Sequence, residues 1–370
     1  MNETSNTILV MALSGVLVGL MLGITMVWTR FCTMGAVADI AISGNYGRMR
    51  SWLLAICVAI IGTQIATAFE LIDISQTSYL QSKVYLPAAI IGGGMFGFGM
   101  VFACGCGARS LVMAGGGDLR ALIAVMVLGT FAYMAIRGIF AVPRAWFYSV
   151  TVLDTSSWLA FPSFDSTFAD TFNLKESTSR VLGTLTIIVP FLWFIFKDQE
   201  FRHSIRRIFA GITVGSLVVA GWLATGWFAR DDFEDIPVVS LTFVEPVGDS
   251  LQYLMIWTGA SITFGVAVVG GTIIGGMITS ILRKEFYLRG FEDASEMGRY
   301  MGGGALMGMG GAIAGGCTFG QGITGVSTLG FASFLALGSI IVGAFIGIRC
   351  LEQGSFSGAI RKMWRSFLEQ

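Results

Sequence analysis

The sequence contains few charges and a single histidine. Of its 370 residues only 12% are charged, 54% are hydrophobic, and the mean hydropathy is +0.75. Soluble globular domains carry about 25% charged residues, so this chain has too few charges to cover a soluble surface of its size. The composition therefore predicts an integral membrane protein, which we expect to be an all-α polytopic fold.

The charges that are present exclude several classes of function. The 23 Lys and Arg residues balance 23 Asp and Glu residues, so no basic excess is available to neutralise nucleic-acid phosphates. The one histidine, His203, lies in a basic stretch, which leaves no basis for a histidine-ligated metal or haem. No ATP-binding motif is present, which argues against a primary pump, and we expect no cofactor and no enzymatic activity.

Long hydrophobic runs dominate the rest of the sequence. About nine of them are long enough to cross the hydrocarbon of a bilayer. These predicted spans cover residues 8–29, 52–72, 86–106, 119–140, 181–196, 208–229, 251–281, 299–316 and 330–349. The aromatic and acidic segment 141–175 is either an interfacial amphipathic element or an aromatic-anchored loop.

The distribution of Lys and Arg predicts the orientation of these spans. Basic residues follow the first, fifth and seventh spans and the C-terminus, whereas acidic loops such as 70–73 and 230–235 alternate with them. Positive loops remain in the cytoplasm. With nine spans, the N-terminus is expected outside and the C-terminus inside.

A repeat links the two ends of the chain. Shifting the sequence by 211 positions aligns the glycine-rich stretch around Gly92 to Cys106 with the stretch around Gly303 to Cys317. The predicted topology places the two stretches in the third and eighth spans, which run in opposite directions. The chain is therefore expected to be an inverted repeat, with residues 1–140 and 208–350 as its halves, 141–207 as a connection with one span, and 351–370 as a cytoplasmic tail. The fifty glycines, at spacings such as Gly93/Gly97 and Gly304/Gly308, predict closely packed helices.

The two Gly-Cys pairs are the strongest candidates for a site. A lone buried cysteine is most often a small core residue, but equivalent placement in both halves favours a function for Cys106 and Cys317. The polar, glycine-rich residues after each pair predict short re-entrant helices whose N–H groups face an anion. The candidate pathway residues are Cys106, Cys317, Cys32, Gly105, Gly316, Thr318, Arg109 and Gln321. The remaining cysteines, Cys57, Cys104 and Cys350, are expected to be packing residues and free thiols.

Four stretches, RFCTMGAVADI, GGGMFGFGMVFACGCG, LRKEFYLRG and GGGALMGMGGAIAGGCTFGQG, resemble the YeeE/YedE sulfur-transport family in both halves. The resemblance implies a bacterial inner-membrane permease of inverted-repeat fold, with Cys106, Cys317 and Cys32 contacting thiosulfate and a TusA-type sulfur carrier as cytoplasmic partner. Two departures stand out: no cysteine precedes LRKEFYLRG in the second half, and Cys104 stands where the family pattern suggests glycine.

Three functions are consistent with these features. The first is a permease that takes up a sulfur-containing anion, foremost thiosulfate, along the pathway cysteines. The second is a membrane thiol relay, in which a cysteine accepts sulfane sulfur covalently and passes it to a soluble carrier. The third is a transporter of a related solute such as sulfite or a selenium species.

Overall fold

The computed structural model describes residues 2–80, 85–151, 176–229 and 237–353. Within these ranges the chain is predominantly helical and contains no strand beyond an isolated bridge between Asp118 and Arg289. Eight of the described helical segments are long and apolar enough to cross a membrane. The prediction of an all-α polytopic membrane protein is confirmed.

The helices alternate between long spans and short segments. The described α-helices are α1 (Asn2–Thr29), α2 (Thr33–Ala38), α3 (Gly47–Ala68), α4 (Leu86–Phe102), α5 (Gly107–Gly115), α6 (Leu119–Ile136), α7 (Ala141–Thr151), α8 (Glu176–Phe196), α9 (Gln199–His203), α10 (Ile205–Leu223), α11 (Val244–Met255), α12 (Phe264–Leu282), α13 (Ala294–Ala314) and α14 (Phe331–Gln353). A π-helical turn, Gly320–Gly325, lies between α13 and α14.

Two predicted spans differ from what the structure shows. The prediction of one continuous span over 251–281 is wrong, because α11 ends at Met255 and α12 begins only at Phe264. The hydroxyl of Thr263 accepts a hydrogen bond from the N–H of Val266 over 3.3 Å and so caps the start of α12. The predicted span over 299–316 corresponds to the 21-residue helix α13. Because α13 contains many glycines and Arg299, its hydropathy is lower than that of the eight helices that are apolar enough to cross a membrane.

Glycines bring α4 and α13 into direct backbone contact. A Cβ atom on Gly92 would lie 2.7 Å from the carbonyl oxygen of Gly310, and one on Gly99 would lie 2.7 Å from that of Gly303. From Gly92 to Gly99 the residue numbers increase along α4, whereas those of their partners on α13 decrease from Gly310 to Gly303. The two helices therefore run antiparallel. The opposite directions expected for the two Gly-Cys helices are therefore seen in their packing.

Each of these helices also packs against the next long helix that follows the other one along the chain. Gly97 of α4 approaches Ile340 of α14, and Gly308 of α13 approaches Leu128 of α6. The 211-residue shift relates α4 to α13 and α6 to α14. The contact of α4 with α14 is therefore the counterpart of the contact of α13 with α6. The chain thus interlocks through its glycine faces instead of forming two separate bundles.

The connecting segment is described in part. It contains α7 and the apolar helix α8, which matches the single span expected there. Of the segment 141–175, predicted to be either an interfacial element or a loop, residues 141–151 form α7 and residues 152–175 lie outside the described residues, as does the acidic loop 230–235. At the C-terminus α14 continues to Gln353, and the rest of the predicted tail also lies outside the described residues.

Candidate functional site

Both candidate cysteines lie at helix breaks inside the protein. Cys106 is fully buried and Cys317 is 1% exposed, and both are free thiols. Helix α4 ends just before Cys106, and α13 ends at Gly315, whose left-handed backbone (φ 72°) stops the helix. The duplicated sequence therefore folds into two equivalent interruptions, each followed by a new helical turn.

A shared local structure surrounds Cys32, Cys106 and Cys317. The carbonyl of each cysteine accepts a hydrogen bond from the N–H four residues later, over 3.0 Å, 2.9 Å and 2.8 Å respectively. Each cysteine therefore starts a helical turn, where backbone N–H groups have no partner within the helix. At such helix starts backbone N–H groups can face an anion.

The backbone also donates to the sulfur atoms. The N–H three residues later lies 3.4 Å from Sγ of Cys32 and 3.3 Å from Sγ of Cys317. Cys106 makes no capping hydrogen bond of this kind, although the N–H of Arg109 is close enough to interact with its sulfur. The three thiols thus share one backbone arrangement, but only Cys32 and Cys317 accept a hydrogen bond from the N–H three residues later.

Cys106 is a neighbour of both other cysteines. Its thiol interacts electrostatically with both Cys32 and Cys317 and faces the hydroxyl of Thr318. Thr318 is fully buried, and its Oγ1 has no hydrogen-bond partner among the described residues. A buried hydroxyl without a partner is costly, and the group that Thr318 faces is the Cys106 thiol.

A basic cavity of about 490 Å³ opens beside Cys32. We call it the arginine cavity. Its charged lining residues are Arg30, Arg48, Arg206, Arg207 and Asp39. Arg48 pairs with Asp39 over 3.1 Å, while the described residues provide no ion pair for Arg30. The cavity therefore has a net positive lining suited to an anion.

A smaller cavity of about 210 Å³ lies beside Cys317. We call it the Gly316 cavity, after the glycine that lines it next to the thiol. Tyr79, Thr242, Arg144 and Glu245 contribute hydroxyls, one cation and one carboxylate to its wall. The hydroxyl of Thr242 interacts with the Cys317 thiol.

The two cavities lie at opposite ends of the same helices. Arg48 and Trp52, near the start of α3, line the arginine cavity, whereas Tyr79, beyond the end of α3, lines the Gly316 cavity. A helix of 22 residues is about 33 Å long at 1.5 Å per residue, which matches the thickness of the hydrocarbon core. Cys32 therefore lines the cavity at one end, and Gly316, next to Cys317, lines the cavity at the other.

The other predicted residues take different places. Gln321 donates to the carbonyls of Ala314 and Gly315 over 3.0 Å each and accepts from Ser333 over 2.8 Å, so its amide holds the second break together. Arg109 lines a separate cavity of about 390 Å³, which it shares with Arg30. Gly105 and Gly316 lie next to their thiols, and a role for these residues in the pathway stays a prediction.

Several residues beside the thiols were not singled out from the sequence. Thr242 and Tyr79 contact the second break, where a Cβ on Gly320 would lie 2.6 Å from Oγ1 of Thr242 and 3.6 Å from the Tyr79 hydroxyl. Phe243 was also missed, although the 211-residue shift places it opposite Cys32. Applying the 211-residue shift to Cys32, as well as to the Gly-Cys pairs, identifies Phe243 from the sequence.

Comparison with known proteins adds to this geometry. The chain is 27% identical over 355 residues to the thiosulfate transporter TsuA of Escherichia coli K12, covering 90% of this chain and 93% of that protein. It is 25% identical over 346 residues to the thiosulfate transporter TsuA of Spirochaeta thermophila, covering 89% and 96% respectively. A family profile described as sulphur transport matches residues 28–346, which contain all three candidate cysteines and most of the described helices. The chain belongs to this sulphur-transport family.

Proposed function

We propose that this protein is a permease that carries thiosulfate across the membrane. The observation that carries the proposal is a series of three thiols, each at the start of a helical turn: Cys106 and Cys317 are buried, and the half-buried Cys32 lines the arginine cavity. The two relatives named as thiosulfate transporters match nearly the whole chain, which supports the same substrate.

The arrangement gives an order of contacts. Thiosulfate enters the Gly316 cavity, meets Cys317 and Thr242, passes to Cys106 and Thr318, and leaves past Cys32 into the arginine cavity. Thiols are weak, polarizable donors that suit the soft terminal sulfur of thiosulfate. Weak contacts in series allow both entry and release, whereas one strong site would retain the anion.

The topology and partners form part of the proposal. The arginine cavity faces the cytoplasm of a bacterial inner membrane, with the N-terminus outside and the C-terminus inside. Residues 1–140 and 208–350 form an inverted repeat, which the antiparallel packing of α4 against α13 supports. A TusA-type sulfur carrier is the proposed cytoplasmic partner that receives the sulfur.

Uptake of radiolabelled thiosulfate tests the function. We expect Cys32→Ala, Cys106→Ala and Cys317→Ala each to lower uptake by about tenfold or more, since losing a contact worth about 1.4 kcal/mol in the rate-limiting step changes the rate tenfold. Cys57→Ala is the matched control, because Cys57 is buried in a separate apolar cluster. Unchanged uptake in both the Cys106 and the Cys317 variants would refute the proposed pathway.

Mass measurement distinguishes permeation from the thiol relay. In a relay, a cysteine thiolate attacks the terminal sulfur of thiosulfate, forms a persulfide and releases sulfite. Each modified chain would then gain about 32 Da, the mass of one sulfur atom. We expect protein incubated with thiosulfate to retain its original mass while it transports.

A further inference from the structure

Three phenylalanine rings form a continuous row in the centre of the protein. The ring of Phe319 lies 6.3 Å from that of Phe31 and 5.5 Å from that of Phe243, measured between centroids, and both contacts are edge-to-face. The three side chains are 1%, 5% and 0% exposed in that order. They belong to the same buried apolar cluster as Cys106 and Cys317.

This row reaches from one cavity to the other. Phe31 lines the arginine cavity. Phe243 lies between Thr242 and Val244, which both line the Gly316 cavity. Phe319 lies between these two rings and follows Cys317 by two residues. The space between the cavities is therefore filled by hydrocarbon next to the thiols.

The repeat makes this row asymmetric. Cys32 precedes α2, and Phe243 occupies the matching position before α11 after the 211-residue shift. One half therefore has a thiol at this position and the other has a phenyl ring. The ring packs against Phe319 and extends the row toward the Gly316 cavity.

We propose that Phe31, Phe319 and Phe243 form a hydrophobic barrier that determines which anions cross. A strongly hydrated oxyanion such as sulfate must lose its water to enter apolar surroundings, which is costly. Narrow apolar constrictions block such ions. Thiosulfate presents a soft sulfur atom, which contacts the thiols and the electropositive edges of the rings. The inference rests on the proposed function, because it assigns to that pathway a barrier against sulfate.

The test measures radiolabelled sulfate and thiosulfate flux into vesicles that contain the purified protein. Phe319→Ala is expected to raise sulfate flux by about tenfold or more over the unmutated protein and to lower the preference for thiosulfate. Phe319→Leu keeps an apolar side chain in the row and is expected to remain closed to sulfate. Phe201→Ala is the control for core packing, because Phe201 is fully buried in a different cluster.

A folded Phe319→Ala protein that admits no more sulfate than the unmutated protein would overturn the barrier. The same holds if Phe201→Ala admits as much sulfate as Phe319→Ala. If Phe319→Ala cannot be purified as a monodisperse protein, Phe31→Ala decides in its place: raised sulfate flux supports the barrier and unchanged flux refutes it. Sulfate entry is measured independently of thiosulfate transport, so failure of the proposed function and failure of the barrier remain distinguishable.

Discussion

Cys104 adopts the left-handed backbone conformation where α4 ends, with a φ of 55°. Its counterpart after the 211-residue shift is Gly315, which has a φ of 72° and ends α13 in the same way. A residue with a side chain is destabilised by about 1–2 kcal/mol in this conformation. Glycine avoids that cost, although its greater conformational freedom in the unfolded chain offsets part of the gain. The unfavourable residue at this position is thus Cys104, whose thiol interacts with Tyr300.

We expect Cys104→Gly to stabilise the protein by up to about 1 kcal/mol, because glycine adopts a positive φ without strain. A raised midpoint of thermal unfolding in detergent would show this effect. Thiosulfate uptake should remain unchanged, since Cys104 is not among the three proposed pathway thiols. Lost uptake in a stable Cys104→Gly protein would instead assign this thiol to the pathway.

The repeat and the motif around Cys32 single out three thiols in the sequence, and the structure makes Cys106 a neighbour of both others. Their part in a pathway stays a prediction. The same reasoning did not predict the role of Gln321, whose amide bonds within the break could not be read from spacing. Tyr79 was also missed, because it reaches Cys317 from the connection after α3 through tertiary packing. Local patterns identify equivalent positions but not the side chains that fold against them.

At the level of helices, the packing of α4 against α14 depends on one glycine in particular. A Cβ on Gly97 would lie 2.0 Å from the carbonyl oxygen of Ile340, which is backbone and cannot move aside without separating the helices. Gly94, one turn earlier on α4, has no atom within 4 Å of such a Cβ. These two positions form a matched pair on one helix.

We expect Gly97→Ala to destabilise the protein by about 1–3 kcal/mol through overpacking. Gly94→Ala should have no destabilising effect, since alanine favours a helix by about 1 kcal/mol over glycine. Comparing the thermal unfolding midpoints of the two purified variants checks this difference. Equal midpoints would mean that α4 and α14 do not approach each other as closely as their glycines indicate.

Hydropathy predicted most of the long helices because an apolar run of about 20 residues has few alternatives in lipid. It failed between 251 and 281, where residues 256–263 are apolar enough to extend a run but turn the chain between α11 and α12. The density of small and polar residues after Cys106 predicts a chain break there, and α5 begins directly after it. The exact length of α5 was not predicted, because glycine is compatible with helix, turn and π-helical geometry.

At the scale of the whole molecule, the protein has two cavities that differ in charge. The cavity beside Cys32 contains four arginines, whereas the cavity beside Cys317 contains one arginine and one glutamate. An anion is therefore attracted more strongly to the arginine cavity, which the proposal places on the cytoplasmic side. Hydrophobic pattern and repeat do not predict the cavities, because these form where separate elements meet: the arginine cavity where the ends of α1, α3 and α10 come together, and the Gly316 cavity where α7 and the ends of α6 and α13 do.

Labelling of single introduced cysteines tests this orientation. Ser78 lines the Gly316 cavity and Asn45 lines the arginine cavity, and both residues are exposed. In intact cells, a membrane-impermeant maleimide should label Ser78→Cys and leave Asn45→Cys unmodified, whereas permeabilised cells should show labelling of both. The unmutated protein measures the background from native thiols. Labelling of Asn45→Cys alone in intact cells would reverse the topology, and the arginine cavity would then be an entrance that collects anions from outside.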